Sequence, residues 1–408
     1  MFENLFYDKS LNYAAFAIPA FFVFLGLEYV AAFRQKKHEL FKFDSSIANI
    51  SIGIAERLLN LFLTASFYGV FTFIYKKFAI WSIPNHWSVW VALILLTDLV
   101  WYWYHRFGHE INLFWAAHIV HHHSEEFNYS VSARITTLQA IVRNAFWCIL
   151  PLAGFHPAMI MTILIVHGTY SFFTHTQLIN KLGWLEYILI TPSHHRVHHS
   201  SNEKYLNKNY GDLFVFWDKL FGTFEREDEK PVYGLTHPLK SHSFVWQHFH
   251  YFMELGYAMS TVKGIIPKLR IIFGKPELLD QDIRPRLEKI YLSTKIEASP
   301  TFRYKSYLVI QVIITVLVLF FIALFYFQLS LTEILVATAF IFLTLVNCGA
   351  MLEQRRWIYY LENTRLLLLI GYASYILLNP MIFVFSILFV ILLSSPLEKR
   401  YLKFIYGK

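Results

Sequence analysis

Cysteine and charge are both scarce in this chain. Only two of its 408 residues are cysteine, Cys148 and Cys348, and each sits inside an apolar run. Neither belongs to a Cys-x-x-Cys pair, which argues against a disulfide framework and a thiolate zinc site and leaves two small buried hydrophobes. Asp, Glu, Lys and Arg make up 16% of the residues, against about 25% in an ordinary soluble domain. The first ten residues carry no basic n-region, and the apolar run behind them is too long for a secretory h-region, so no cleavable signal peptide is expected. Internal repeats and low-complexity tracts are also missing.

What replaces charge is apolar surface. Hydrophobic residues make up 56% of the chain and the mean hydropathy is +0.41. Apolar runs at 11–33, 48–75, 87–104, 306–327, 331–352 and 366–393 approach or exceed the roughly 20 residues that cross a bilayer. The runs 136–152 and 157–176 are a little short for that and read as a helical hairpin turned by Pro151, Gly154 and Pro157. The expected fold is therefore an all-α integral membrane protein, a multi-pass helical bundle of about eight or nine spans or half-spans. The last run carries Asn379-Pro380 at its middle and reads as one broken helix or a tight hairpin. Bases at Arg355, Arg356, Arg365 and again at Lys399, Arg400, Lys403 and Lys408 favour the hairpin, which puts them all on one side. Arg34, Lys36 and Lys37 set that side as cytosolic, with Lys76 and Lys77 opposing. Glu56 and Arg57 inside the second run should face protein or water. The formal net charge of +8 suits loops beside anionic head groups; nucleic acid is not an expected partner.

Histidine is where chemistry concentrates. His105-Arg-Phe-Gly-His109 sets two imidazoles four apart, His118-Ile-Val-His121-His122 sets three at i, i+3 and i+4, and His195-Arg-Val-His198-His199 repeats that spacing. Residues three and four apart share a helix face, so each cluster can aim its nitrogens at one point. Eight imidazoles exceed the four protein ligands of a tetrahedral zinc and are enough for two metal ions. His175, at the end of the hairpin's second arm, is a candidate ninth. All-imidazole ligation suits Zn, Cu, Fe or Ni, and spacing does not separate them. His123 and His194 adjoin the clusters off-register and read as supporting or surface groups. His86, His156 and His167 read as satisfied polar residues, and His237, His242, His248 and His250 as surface of a cap over 177–304. Asp98 shares a face with His105: it is either a carboxylate paired within the bundle or the acceptor orienting that imidazole. Arg196 lies within the third cluster, and 225–230 reads as a charged, exposed loop. Asn209-Tyr-Gly-Asp212 and Trp217 to Thr223 suit turns over a compact cap.

These motifs, with Thr191-Pro-Ser leading into the third cluster, Ser124-Glu-Glu-Phe-Asn128 trailing the second, and the Asn-Tyr-Gly and Trp-Asp-Lys-Leu-Phe-Gly-Thr elements, resemble the fatty acid hydroxylase/sterol desaturase superfamily. The likeness covers about Trp87 to Phe224 and extends more weakly into C-terminal spans that many members lack. The wording is closest to the members that oxidise ether lipids. His123 stands where those members usually have Ser. The resemblance implies a cytosolic, histidine-rich helical cap with two Fe ions held by His105, His109, His118, His121, His122, His195, His198 and His199, with His175 as the ninth ligand. It implies O2 as co-substrate and a lipid substrate that enters from the bilayer. The electron donor it implies is tetrahydrobiopterin, a reduced pterin, or else a redox protein such as cytochrome b5. Glu110 matches an acidic position beside the first cluster: it is either a solvated, helix-pairing carboxylate or a hydrogen-bond partner of an imidazole or the pterin. The expected divisions are 1–86 N-terminal spans, 87–260 catalytic domain, 261–304 cytosolic linker and 305–408 C-terminal spans, in an endoplasmic reticulum or bacterial inner membrane. The expected activity is hydroxylation of the carbon beside an ether oxygen. Fatty acyl, sterol, carotenoid or aminolipid oxidation is the enzymatic alternative, and a histidine-lined metal transporter the non-enzymatic one.

Overall fold

The computed structural model describes residues 11–292 and 302–407, with the side chains of 393–396 left out. The reading of the first ten residues, residues 293–301 of the 261–304 connection and Lys408 lie outside the described residues. The described chain is helical, with two isolated bridges, Leu189 to Phe214 and Ser200 to Tyr233. Six helical stretches are long and apolar enough to cross a membrane: Tyr13–Arg34, His38–Phe78, Trp87–Glu110, Pro157–Thr174, Phe302–Leu324 and Leu331–Leu352. The helices that matter here are α1 (Ala17–Arg34), α2 (Phe43–Phe78), α3 (Trp87–Glu110), α4 (Asn112–His118), α5 (Thr137–Trp147), α6 (Ile149–Ala153), α7 (Pro157–Thr174), α8 (Pro192–His198), α9 (Phe244–Ser260), α10 (Ile265–Phe273), α11 (Phe302–Leu324), α12 (Leu331–Leu352), α13 (Ile358–Ile376) and α14 (Pro380–Tyr406).

Six is the number of helices long enough to cross by themselves; the expected eight or nine counted half-spans as well, and two further apolar blocks supply those. The run 136–152 starts well, with the Thr136 hydroxyl accepting from Gln139 N at 3.0 Å. It then breaks at Cys148 into α5 and α6, together too short to cross. The last apolar block folds as a hairpin, since Asn379 caps α14 and Pro380 occupies its first turn, where a missing N–H costs nothing. Its first helix begins early enough to swallow Glu362 and Arg365. The expectation of Arg365 as a loop base is corrected here: it is buried, donating to Gln311 Oε1 at 2.6 Å and Thr344 Oγ1 at 3.1 Å and pairing with Glu362. A charge inside a span must be satisfied by protein, and α11, α12 and α13 do so jointly.

One apolar core runs from α1 and α2 through α4 and α9 into α11 and α12; Leu58, Ile119, Leu255, Leu319 and Leu345 belong to it. Glu56 is buried and bonded to Asn60, while Arg57 on the same turn is exposed. Cys348 is buried and Cys148 partly so, both as free thiols. Helix α12 reaches α9 at Gly349, where an added Cβ would run into the Phe244 backbone nitrogen and come within 3.0 Å of its Cβ. Gly349→Val is thus expected to overpack this crossing, cost about 1–3 kcal/mol and lower the melting temperature of the purified protein; an unchanged melt would show that the helices separate freely here.

Candidate metal centre

Helix α3 does not stop at the membrane run. It continues to Glu110 and carries His105 and His109 on its last turns. The chain turns at Ile111 into α4, which ends at His118, and a 3-10 segment, Ile119–His122, holds His121 and His122. Arg134 fixes that segment from behind. Its buried guanidinium donates to the carbonyl of Val120 at 2.9 Å, to Asn49 Oδ1 at 2.6 Å and to Gln247 Oε1 at 2.8 Å, and burial pushes its pKa down to about 9. His175 follows α7, and α8 supplies His195 and His198, with His199 just beyond.

The nine imidazoles converge in two adjoining groups. His105, His109, His118, His122 and His198 form one; His121, His175, His195 and His199 form the other; within each, ligand nitrogens lie within 4.8 Å of one another. The expectation that each cluster aims at one point is corrected: both triplets split. In each, i and i+4 serve one group and i+3 the other, so His118 and His122 face the first group while His121 faces the second, and His195 and His199 face the second while His198 faces the first. The two groups are thereby interlocked, and His122 stacks on His199 across them at 4.4 Å between ring centroids.

The nitrogens ask for cations. Nδ1 of His105, His175 and His198 donates to the carbonyls of Tyr210 at 2.8 Å, Ser171 at 2.8 Å and Lys208 at 3.0 Å. An imidazole with its proton on Nδ1 presents Nε2 as a bare lone pair. Yet Nε2 of His175 lies 3.2 Å from Nε2 of His121 and 3.0 Å from that of His195, which lies 3.2 Å from that of His199. In the other group Nε2 of His118 is 3.2 Å from that of His105 and 3.1 Å from that of His122, while Nε2 of His109 and of His198 are buried with no hydrogen-bond partner among the described residues. One proton per ring cannot satisfy these contacts. Imidazole–metal bonds of about 2.0–2.1 Å place neighbouring ligand nitrogens about 3.0–3.4 Å apart, which is the spacing observed. The residues fit a pair of metal ions, with neutral nitrogen as the only donor in either group.

Burial holds the imidazoles neutral. It pushes the pKa of His175 down to about 4 and those of His118, His121, His122, His195, His198 and His199 well below the usual value, with neighbouring imidazoles adding to it. Unfolded histidines take up protons near about 6.5, whereas these folded ones do so only well below that. The stability they contribute is therefore present above the unfolded value and lost as pH falls beneath it. Metal-free protein is expected to keep a constant melting temperature from pH 7.5 to 8.5 and to lose it steeply from pH 6.5 to 5; a flat acid limb would mean that the rings are solvated.

The two carboxylates singled out from the sequence sit elsewhere. Asp98 does not orient His105, whose acceptor is the Tyr210 carbonyl; its oxygens take the backbone N–H of Leu213 at 2.9 Å and Phe214 at 3.0 Å. It stands beside His167, which bonds Asp212 at 2.7 Å. Glu110 pairs with Arg106 at 2.9 Å, with no bond to an imidazole among the described residues. His250 is corrected from cap surface to core: it is fully buried, bonding Glu254 at 2.8 Å and His123 at 3.0 Å. His237 is exposed, His242 and His248 partly buried, and His194 caps α8. The 225–230 loop is exposed at Arg226, Asp228, Glu229 and Lys230 as expected, but Arg196 grips Glu227 with two bonds of 2.7 Å. Sequence reading missed the loop around Asn209-Tyr-Gly-Asp212 as support for the centre. Asn209 adopts φ 55°, and at Gly211 a Cβ would come within 2.8 Å of Asp218 Oδ2, so the motif marks a tight backbone approach.

Helices that cross a membrane, gathered around two interlocked imidazole groups fit for metal, define a membrane-embedded histidine-cluster protein. The fatty acid hydroxylase family profile matches residues 90–223. The human alkylglycerol monooxygenase is 33% identical over 95% of this chain and 88% of its own length, and that of Danio rerio 32% identical over 92% and 85%. An ornithine lipid hydroxylase of Rhizobium tropici is 30% identical over 35% of the chain and 44% of its own length. The chain belongs to the fatty acid hydroxylase family, on the branch that holds the alkylglycerol monooxygenases. No solved structure matches it.

Proposed function

We propose that the protein is a di-iron monooxygenase that hydroxylates the carbon beside the ether oxygen of an alkylglycerol, with its metal centre on the cytosolic side and a reduced pterin as electron donor. One observation carries the ether-lipid reading: the likeness to alkylglycerol monooxygenase runs over 95% of the chain, far past the 90–223 stretch matched by the general family profile. The catalytic unit in this reading is 87–260, anchored by the spans on either side.

His105, His109, His118, His122 and His198 would hold one iron and His121, His175, His195 and His199 the other. Bound iron supplies oxygen activation, which no side chain can provide. The chain does the rest. Carbonyls of Tyr210, Ser171 and Lys208 fix three imidazoles with Nε2 turned inward, and such outer partners set ring orientation and ligand basicity. Trp115, 5.0 Å from His109 and 5.6 Å from His122 between centroids, and Phe127, 5.0 Å from His199, wall the rings with apolar surface that keeps water out. Hydroxylation turns the ether into a hemiacetal, whose C–O bond breaks to give a fatty aldehyde and a glycerol.

The test is incubation of full-length, iron-loaded protein with an alkylglycerol, a reduced pterin and O2. The expected result is one aldehyde per O2 consumed. Oxidation of an acyl, sterol or ornithine lipid under the same conditions, with the alkylglycerol untouched, would remove the ether-lipid reading while leaving a hydroxylase.

A further inference from the structure

A lipid oxygenase has two supply problems: its substrate arrives from the bilayer, but its electrons come from water. The solvent side of the second imidazole group offers a route for the electrons. A polar cavity of about 340 Å³ is lined by Gln177, Asn180, Arg196, Asp228, Glu229 and Tyr233, among others. Its volume lies within the range of small-molecule sites, about 300–1,000 Å³. The wall is built rather than fluid: Arg196 is buried, held by Glu227 and by the carbonyls of Thr176 at 3.0 Å and Ile179 at 2.7 Å, and Gln177 donates to the Phe127 carbonyl at 3.0 Å. From this cavity an aromatic ladder leads inward. Tyr233 stacks on Phe127 with centroids 5.0 Å apart and planes 11° apart. Phe127 in turn lies 5.6 Å from His175 at 25° and 5.0 Å from His199, both in the four-imidazole group. Two ring-to-ring steps therefore join a ligand-sized cavity to the candidate metal centre.

We propose that this cavity is the docking site of a water-soluble, planar heterocyclic reductant, and that its electrons tunnel to the centre across the stacked rings of Tyr233 and Phe127, neither of which is itself oxidised or reduced. The proposal rests on the monooxygenase reading above. For each C–H bond hydroxylated, O2 takes four electrons, two from that bond and two from the reductant. One oxygen enters the lipid and the other leaves as water with two protons from the reductant, which ends oxidised by two electrons. A flat ring stacks on Tyr233, and the Asp228 and Glu229 carboxylates accept from its N–H edge. Tetrahydropterins and reduced flavins share this chemistry, and the test has an arm for each.

Asn180 is exposed at the rim, so Asn180→Trp fills the cavity without disturbing the ladder, whereas Tyr233→Leu cuts the ladder. Binding is measured by calorimetry on full-length, zinc-loaded protein under argon, with 6-methyltetrahydropterin in one arm and reduced flavin mononucleotide in the other. Electron transfer is measured as anaerobic reduction of the iron-loaded protein, divided by the rate with dithionite on the same sample. The wild type is expected to bind one of the probes saturably, Asn180→Trp to weaken that binding at least tenfold, and Tyr233→Leu to slow normalised reduction at least tenfold. Equal binding by wild type and Asn180→Trp overturns the site, as does no binding of either probe to a protein that still oxidises lipid with dithionite. Failure of dithionite-reduced enzyme to oxidise any lipid strikes the oxygenase reading instead, and the zinc-protein binding data stand apart from it.

Discussion

Full-length protein carrying His121→Ala is expected to lose metal and lipid oxidation together, with activity down at least a hundredfold. That floor is the upper end of what loss of an outer partner costs, about 10–100-fold, and a direct ligand does more. His121 belongs to the smaller group, so its removal leaves three nitrogens there, whereas His118→Ala leaves four in the other. His121→Ala should accordingly retain less metal than His118→Ala. The control is His86→Ala, which removes an exposed N-cap that serves only α3 and Ser88. It is expected to keep both metal and activity. Metal analysis of the three purified variants decides it: iron content in His121→Ala equal to wild type would break the assignment of these rings.

The comparison among those variants also marks the limit of what spacing reveals. The i, i+3, i+4 pattern identified the residues, because eight imidazoles in three short runs need a shared purpose, and all eight converge with His175. It did not identify the sorting, because that depends on where two adjoining nitrogen groups divide the face that each triplet shares. Face sharing brings three rings to one broad face, but at about 100° per residue i+3 and i+4 fall on opposite sides of i, so two adjoining groups can divide them, i and i+4 to one and i+3 to the other. Hydropathy located the spans, yet α3 runs on to Glu110 and α13 starts before its apolar block, since buried polar partners extend helices that composition would end. The two carboxylates were left open between two roles for a different reason. Asp98 was read from its position on α3 relative to His105, but a loop more than a hundred residues later brings two unpaired N–H groups to it, and no local pattern announces a tertiary partner.

That loop carries the other large effect. Asp218 is buried and accepts from Tyr210 N at 2.7 Å, Gly211 N at 2.8 Å and Thr223 Oγ1 at 2.7 Å. Burial pushes its pKa up to about 6 while those donors pull the other way. It therefore fixes the very peptide whose carbonyl takes the His105 proton, on the same loop as the Lys208 carbonyl that orients His198. Asp218→Ala strands two buried N–H groups at about 1–3 kcal/mol each and frees both carbonyls to drift, so one carboxylate that touches no imidazole controls two ligands of the five-imidazole group. The expected outcome is a lower melting temperature with metal affinity reduced about 10–100-fold. Asp218→Asn separates fold from orientation. Its shape is kept, but one acceptor becomes an NH2 opposed to a backbone N–H, so the melt should recover part way while metal affinity stays low. Thr223→Val removes one donor to Asp218 and the 3.0 Å bond to the Tyr102 hydroxyl but leaves both backbone bonds to Asp218, so its metal affinity should stay within a few-fold of wild type. If Asp218→Asn melts low yet binds metal as tightly as wild type, the loop supports the fold alone, and the orientation of His105 and His198 must be set by the helices that carry them.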